Sequence, residues 1–593
     1  MSCFKKSRNS RSMRGGTGVV ALGALAALMG GPTTASALTR PPQGTTGLHY
    51  YGYFDDASQD DAVATANHAN VVFYADVNDT DPPGQYTAAE LKKLTGSPTT
   101  SGMGAMLGVE NIFFTQDIHF NFVPRNSADW QARWSAYKTQ IAPYLANVVA
   151  FYVFDEPNPA DGTLMSFLDL IATQIKTDYP NIHRSIFFAA RDMDLAPVNW
   201  TIPLAVDWVG YDCYTGPFEQ CFDKVAHGTN TSYNWRSVPY YYALLRQAIA
   251  RTNAGLAPGA PPYHPGLVLL PQAYIDTEPP TAQAQERMLS RVEREVVLAE
   301  SDPDFVMIMP FRWQLLSPLA TALSYYAHLG QHVVSGTSRF AYPTSVSASA
   351  SVPGAEASNA FDYSASTAWS AGTPPIASIQ ASFADPIVAT KVGALVAQSP
   401  TGYTEHALKY ANFQPNTGTL TWFTGTTSDS QLLTWTGSQT LNYLNLLTQT
   451  SPSWVSWKDL AIYASGSTRL YPTAISATSG GDSLLSLVDG DNSTSWNSGG
   501  YQPAYVVLDL RAPQTISHIQ LVVNQNPTGT TTHTVYGGPA RTGLTQLKPP
   551  ITGNTSDGQV IDLFGSWTNI RYLRIDTTQS PSWVAWREIN VFR

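Results

Sequence analysis

The sequence predicts a multidomain chain in which a parallel (β/α)8 barrel is followed by two antiparallel β-sandwich domains, and three observations carry this reading. Residues 47–330 alternate short apolar runs with longer amphipathic stretches, eight times over. Such alternation selects a parallel sheet, because parallel neighbours need a helical crossover. From about Ser338 the helical periodicity gives way to short alternating runs, dense Ser and Thr and closely spaced turn residues, the pattern of antiparallel structure. This second half also repeats itself. Ser451-Pro-Ser-Trp-Val-Ser-Trp457 returns as Ser580-Pro-Ser-Trp-Val-Ala-Trp586, 129 residues later, and Tyr342-Pro343-Thr344 returns as Tyr471-Pro472-Thr473 at the same offset. Two copies are normal for tandem modules and too few for a solenoid.

Taken in order, residues 1–37 read as a secretory signal. Lys5, Lys6, Arg8, Arg11 and Arg14 precede the apolar run Val19 to Met29, and Ala35-Ser36-Ala37 offers the cleavage site. The run is too short to span a bilayer, so the protein is expected to be secreted, extracellular and not membrane-embedded. Losing five cations and no acids takes the net charge from −10 to −15, which excludes nucleic acid as a natural partner. Charged residues are 13% of the chain and aromatic residues 11%, against a usual charged share of ~25%. Aromatic-rich, charge-poor surfaces suit neutral, flat-faced polar ligands, of which sugars are the commonest; a large aromatic core is the alternative. A monomer is expected.

The barrel occupies 38–337. Its candidate strands are Leu48 to Phe54, Asn70 to Tyr74, Ala105 to Val109, Val148 to Phe154, Arg184 to Ala189, Val206 to Tyr211, Leu267 to Gln272 and Phe305 to Trp313. Between them Trp130 to Leu145, Leu164 to Asp178, Val238 to Arg251 and Thr281 to Ala299 carry helical spacing. An open doubly wound sheet is the competing arrangement, but no Gly-rich loop follows the first strand. Cys213 and Cys221, the pair that remains once Cys3 leaves with the signal, are expected to form a local disulfide beside the sixth strand. Two buried thiols are the alternative.

The sandwiches occupy 338–466 and 467–593. The second carries Asp489-Gly-Asp491-Asn-Ser-Thr494-Ser-Trp496 near its start and Trp586-Arg587-Glu588-Ile589 at its end. These motifs resemble the discoidin, or coagulation factor 5/8 type C, domain, a jelly-roll shared with family 32 carbohydrate-binding modules. The resemblance implies glycan binding and a structural calcium held by Asp491, Thr494 and Glu588; an Asx-type turn without an ion is the alternative. Oxygen ligands suit such a hard cation. The first copy has Ser364 and Asp459 where the second has Asp491 and Glu588, which weakens its calcium claim. His406, His533, Trp454 and Trp583 recur in loop-like segments as candidate sugar contacts. Packing is their alternative role, and one Trp of each Trp-x-x-Trp pair is expected in the core, as are Trp369 and Trp496.

Chemistry in such a barrel belongs at the C-terminal strand ends. Those ends present Tyr51, Tyr53, Asp55, Glu110, Asp155, Glu156, Arg191, Tyr211, Asp212, Tyr214, Gln272, Tyr274, Arg312 and Trp313. Acids, tyrosines and a tryptophan fit a saccharide cleft, where glycoside hydrolysis needs one carboxyl to protonate the leaving oxygen and a second as nucleophile or base. Phe151-Tyr-Val-Phe-Asp155-Glu156-Pro157 resembles the fourth-strand signature of several TIM-barrel glycoside hydrolases. The resemblance implies that Glu156 is the acid, its pKa raised by its neighbour, and that Trp313 floors the subsite. One departure stands out: the related clan places a nucleophilic Glu on the seventh strand, where this chain has Gln272, with Asp276 and Glu278 further along. The partner carboxylate is thus one of those two acids, Asp212, Glu110 or Asp155. The adjacent Asp-Glu pair also resembles the substrate-assisted β-N-acetylhexosaminidases, in which the Asp orients an acetamide. A helix N-cap is the non-catalytic reading of Asp155-Glu156, and a non-catalytic carbohydrate-binding surface protein is the second functional class. No cofactor is expected for catalysis, and a barrel ending near Ser335 is expected to fold alone.

Overall fold

The computed structural model describes residues 47–593 except 55–67, 77–81, 97–102, 117–121, 197–198, 214–219, 222–223, 228–229, 234–235, 276–280, 312–318, 374, 414–416 and 501. Asp55, Tyr214, Asp276, Glu278, Arg312, Trp313 and the signal lie outside the described residues.

Eight strands close into a barrel: β1 (Tyr50–Tyr53), β2 (Val71–Ala75), β3 (Gly104–Gly108), β4 (Val148–Asp155), β5 (His183–Ala189), β6 (Trp208–Cys213), β7 (Gly266–Pro271) and β8 (Phe305–Ile308). They neighbour one another in sequence order and every pairing is parallel, with β1 closing on β8. Helices α1 (Gln85–Gly96), α2 (Ser127–Ile141), α3 (Gly162–Asp178), α4 (Val238–Ala254) and α5 (Ala282–Ser301) lie in the crossovers, and α6 (Ala320–Ser335) follows β8. The fifth crossover has a six-residue helix, Ala190–Leu195. Side-chain caps start several helices: Asn126 accepts from Asp129 N, Asp161 from Thr163 N and Leu164 N, and Thr281 from Ala284 N.

Strand alternation divides the barrel into two layers. Tyr50, Phe54, Phe73, Met106, Tyr152, Phe187, Leu270 and Met307 fill the interior. Tyr51, Tyr53, Val72, Tyr74, Leu107, Phe151, Val209, Tyr211 and Leu269 pack outward among the helix faces. The strand interiors are continuous apolar runs because both faces are buried.

Two antiparallel assemblies follow. The first is built on β9 (Ala377–Val396), β10 (Gly402–Ala411), β11 (Thr417–Thr427), β12 (Leu432–Thr450) and β13 (Ser456–Ser467). The second has β14 (Ala504–Val523), β15 (Gly529–Gly538), β16 (Ile551–Thr555), β17 (Val560–Gln579) and β18 (Ala585–Phe592). Pairing is equivalent in the two, β9 with β12 and β13, and β14 with β17 and β18. Each core closes around two buried indoles, Trp369 and Trp457 in one and Trp496 and Trp586 in the other.

The sandwiches are welded to the barrel through α5. Arg339, fully buried, binds Glu293 at 2.8 Å and Glu300 at 2.6 Å, while Tyr325 donates to Glu293 at 2.8 Å. Burial would raise Glu300, but Arg339 and His332 outweigh it and hold the carboxyl down to about 2. Phe340 stacks on Tyr363 at 4.3 Å, and Tyr342, Tyr463 and Tyr471 join the barrel's outer core. Arg511 of the second sandwich reaches Asp304 at 2.5 Å. A cut near Ser335 removes Arg339, the partner of both the Glu293 and Glu300 carboxylates.

Candidate functional site

The C-terminal strand ends of the barrel gather carboxyl groups from β4 and β6, the strands on either side of β5. Along β4 the register slips between Tyr152 and Phe154. This irregularity puts Val153 and Phe154 both with the outer layer and lets the Tyr152 hydroxyl donate to Asp155 Oδ1 at 2.7 Å, three residues on. Asp155 is buried and Glu156 half-buried at the rim. Glu156 has φ 49°, a left-handed conformation uncommon for a side chain of this kind, while its backbone N–H is fixed to Phe187 O at 3.0 Å.

Asp212 comes from the end of β6. Its carboxyl is hydrogen-bonded to that of Glu156. Burial, then the charge and hydrogen bond of Glu156, then the charge of Asp155 raise Asp212 well above the usual carboxylate range, against a backbone N–H from Ala190 that lowers it. Burial and the neighbouring carboxyls thus favour the protonated form of Asp212. Glu110, buried at the start of a short helix after β3, adds to the negative field around Tyr152, whose hydroxyl stays neutral because burial and the charges of Asp155, Glu110 and Glu156 all push its pKa up.

Several expected cleft residues lie elsewhere. Tyr51, Tyr53 and Tyr211 point into the outer layer: Tyr51 donates to Tyr326 O at 2.8 Å and Tyr211 to Val238 O at 3.2 Å. The reason is the two-residue period, which turns Tyr50, Phe54 and Asp212 inward and their neighbours outward. Gln272 is also withdrawn from the mouth. Its Oε1 accepts from Arg291 of α5, its Nε2 donates to Tyr274 O at 2.6 Å, and its own carbonyl accepts from Tyr326. Tyr274 faces the interior, edge-on to Phe311 at 5.6 Å. Arg191 belongs to the six-residue helix and its side chain is outside the described residues, as is that of Cys221; Cys213 is disulfide-bonded. Tyr152 was hidden from sequence reasoning because its partnership with Asp155 spans three residues, a spacing a regular strand does not bring together.

The sandwiches reverse part of the expectation. His406 and His533 are buried; His406 packs edge-on to the core indole of Trp457 at 4.7 Å and His533 lies tilted against that of Trp586 at 4.6 Å. Each Nδ1 meets a threonine hydroxyl, Thr448 or Thr577, at 2.9 Å, and burial lowers each pKa to about 4. They are core residues, because residues 406 and 533 fall on the inward phase of their strands. Trp454 and Trp583 do stand out, 58% and 49% exposed. Trp454 walls a cleft of ≈ 680 Å³ with Gln398, Pro400, Asp429, Ser451 and Pro452. Asp429 is bridged by Lys458 at 2.7 Å, and beside Trp583 the equivalent pair is Asp557 with Arg587, also at 2.7 Å. Sequence reasoning missed both pairs, although the repeat alignment places them in register.

Asp491, Thr494 and Glu588 are drawn together around Asp489, whose Oδ1 accepts from Asp491 N at 2.9 Å. Asp491 Oδ1 accepts from Ser493 N at 2.8 Å, Thr494 donates to Asp489 Oδ2 at 2.8 Å, and Glu588 takes Gly490 N at 2.7 Å while hydrogen-bonding Asp489. Among the described residues no group of three His, Cys, Asp or Glu has metal-holding geometry.

Comparison with known proteins agrees with the second sandwich. Residues 472–589 match the F5/8 type C domain family. Similar solved structures include a CBM32 of AlyQ in complex with 4,5-unsaturated mannuronic acid, at 21% identity over 21% of this chain and 98% of that one, TM-score 0.19. CpGH89CBM32-6 of Clostridium perfringens is 20% identical over 20% of this chain and 92% of its own, TM-score 0.19. The family 32 module of C. perfringens NanJ in complex with galactose is 17% identical over 21% and 98%, TM-score 0.19. No curated protein matches. Among the described residues no helix is long and apolar enough to cross a membrane. The second sandwich of this chain is thus similar to F5/8 type C domains.

Proposed function

We propose that the protein is a secreted glycoside hydrolase whose barrel is of the (β/α)8 type and whose sandwiches hold the substrate. The observation that carries this reading is the Glu156–Asp212 carboxyl pair beside Asp155 at the C-terminal strand ends. Two hydrogen-bonded carboxyls sit about 2.5–2.7 Å apart, closer than the ~5 to 9.5 Å that separates an acid from its nucleophile or base in glycosidases. The pair therefore acts as one acid. Glu156, at the rim, passes its proton to the glycosidic oxygen as the C–O bond breaks, and Asp212 relays a proton to it and spreads the charge that remains. Asp155, held by Tyr152, is the second carboxylate. Water completes hydrolysis and its proton restores the pair.

The hydrogen bond that fixes Asp155 also favours a second reading, in which Asp155 orients a substrate acetamide and the substrate supplies its own nucleophile. Exposed Trp454 and Trp583, each beside a bridged acid–base pair, offer a stacking face with hydrogen-bonding groups alongside, the makeup of a sugar site. Reducing-end release across a polysaccharide panel tests the proposal. Turnover that Glu156→Gln reduces supports it; no turnover on any polymer, with glycan binding retained, favours a carbohydrate-binding protein without catalysis.

A further inference from the structure

We infer that the first sandwich carries an elongated path for an extended, uncharged glycan chain, running from the Trp454 cleft along the outer face of β10 and β11, and that the second sandwich lacks it. This rests on the reading of the Trp454 cleft as a sugar site. In the β10–β11 pair Tyr403 faces Thr426, Glu405 faces Thr424 and Ala407 faces Trp422, so these side chains share one face. The alternate residues Thr404, His406 and Leu408 are buried in the core. Tyr403 and Trp422 are 52% and 47% exposed. They stand four residues apart in the β10 frame, about 13 Å.

Between the two rings lies Glu405, both oxygens of which are engaged: Oε1 accepts from the Tyr403 hydroxyl and Oε2 from Thr450 Oγ1, each at 2.9 Å. Thr450 leads directly into the Ser451–Trp454 loop. Glu405, through Thr450, thus ties the face to the loop that lines the cleft. The second sandwich keeps the buried partners Thr531 and His533 but has Thr530 and Thr532 in place of Tyr403 and Glu405. They face Asn554 and Thr552 and bond to them at 2.8 and 3.2 Å, a short polar ladder without a ring.

Aromatic faces spaced along a strand with an acceptor between them suit a succession of sugar rings, each with an apolar face and a hydroxyl edge. The engaged carboxylate and the excess of acids over bases, 44 to 34, disfavour an acidic polymer.

The experiment titrates the full chain with neutral gluco-, galacto- and chito-oligosaccharides of one to six units, by calorimetry. Affinity is expected to rise with length in the wild type. The double variant Tyr403→Thr/Trp422→Thr is expected to keep monosaccharide affinity and lose about tenfold or more on the longest ligand, as two stacking contacts warrant. Equal length dependence in the two proteins overturns the path while leaving the cleft intact. A wild-type chain that binds no member of the panel overturns the sugar reading itself. Self-association that the double variant abolishes assigns the face to a second copy and also overturns the path.

Discussion

The barrel mouth and the sandwich turns both contain hydrogen-bonded or closely apposed buried acids, and they differ in access and backbone geometry. At the mouth Asp212 is raised by burial and by Glu156, and Glu156 reaches the rim on a left-handed backbone. In the sandwiches, burial raises Glu588 beside Asp489 and Asp459 beside Asp362, and a turn hydroxyl bonds Asp362 and Asp489. A third solution appears at α5, where Arg339 rather than a proton compensates Glu293 and Glu300. A raised carboxyl pKa thus marks burial; access and an unusual backbone separate the mouth from the turns.

The sharpest test is at the mouth. Glu156→Gln is expected to lower turnover by ~10² or more with melting unchanged, the size of a general-acid contribution. Asp212→Asn should also move the acid and alkaline limbs of the pH–rate profile, because it removes the coupled partner. Equal turnover in wild type and Glu156→Gln would place the mouth with the structural clusters.

Arg339→Met comes next. Removing one member of a buried ion pair typically costs about 3–5 kcal/mol, so a large drop in stability is expected by denaturant titration, without a change in the mouth's pH profile. A near-neutral result would show that Glu293 and Glu300 take up protons as the other acids do.

The third test uses Asp362, which burial raises to about 6 against the bonds from Thr367 and Ser364. A carboxyl raised in the folded state contributes its stability fully below the unfolded value of 3.8 and loses it as pH climbs to about 6. Asp362→Asn should therefore stabilise the protein at pH 7 by up to about 3 kcal/mol and flatten its stability between those limits. A variant less stable than wild type at pH 7 would show the carboxylate to be favourably held.

The comparison also explains what was legible in the sequence. Eight alternations and the 129-residue repeat gave the barrel order and the equivalent sandwich cores, because periodicity and repetition survive in one dimension. Asp155, Glu156 and Asp212 were legible because apolar strands run straight into them. Tyr51, Tyr53 and Tyr211 were misplaced because strand-end position was read without strand phase, and one residue of phase decides between mouth and helix layer. His406 and His533 were misread because their recurrence, taken as a sign of ligand contact, reflects packing on Trp457 and Trp586. The α5 weld left no pattern, since Arg339 and its partners are 39 and 46 residues apart.

The smallest expected effect is no effect, and it separates the histidines from the tryptophans. With pKa values lowered by burial to about 4, His406 and His533 stay neutral from pH 5 upward. Their cost falls on folding. A histidine depressed in the folded state contributes its stability fully above the unfolded value of 6.5 and loses it as pH falls toward 4. Sugar affinity at the loop sites should therefore be flat between pH 5 and 8, changing less than about twofold, whereas Trp454→Ala lowers it about tenfold at every pH. A break in affinity near pH 6.5 would mean that an ordinary, accessible imidazole touches the ligand, and it would return His406 or His533 from the core to the binding surface.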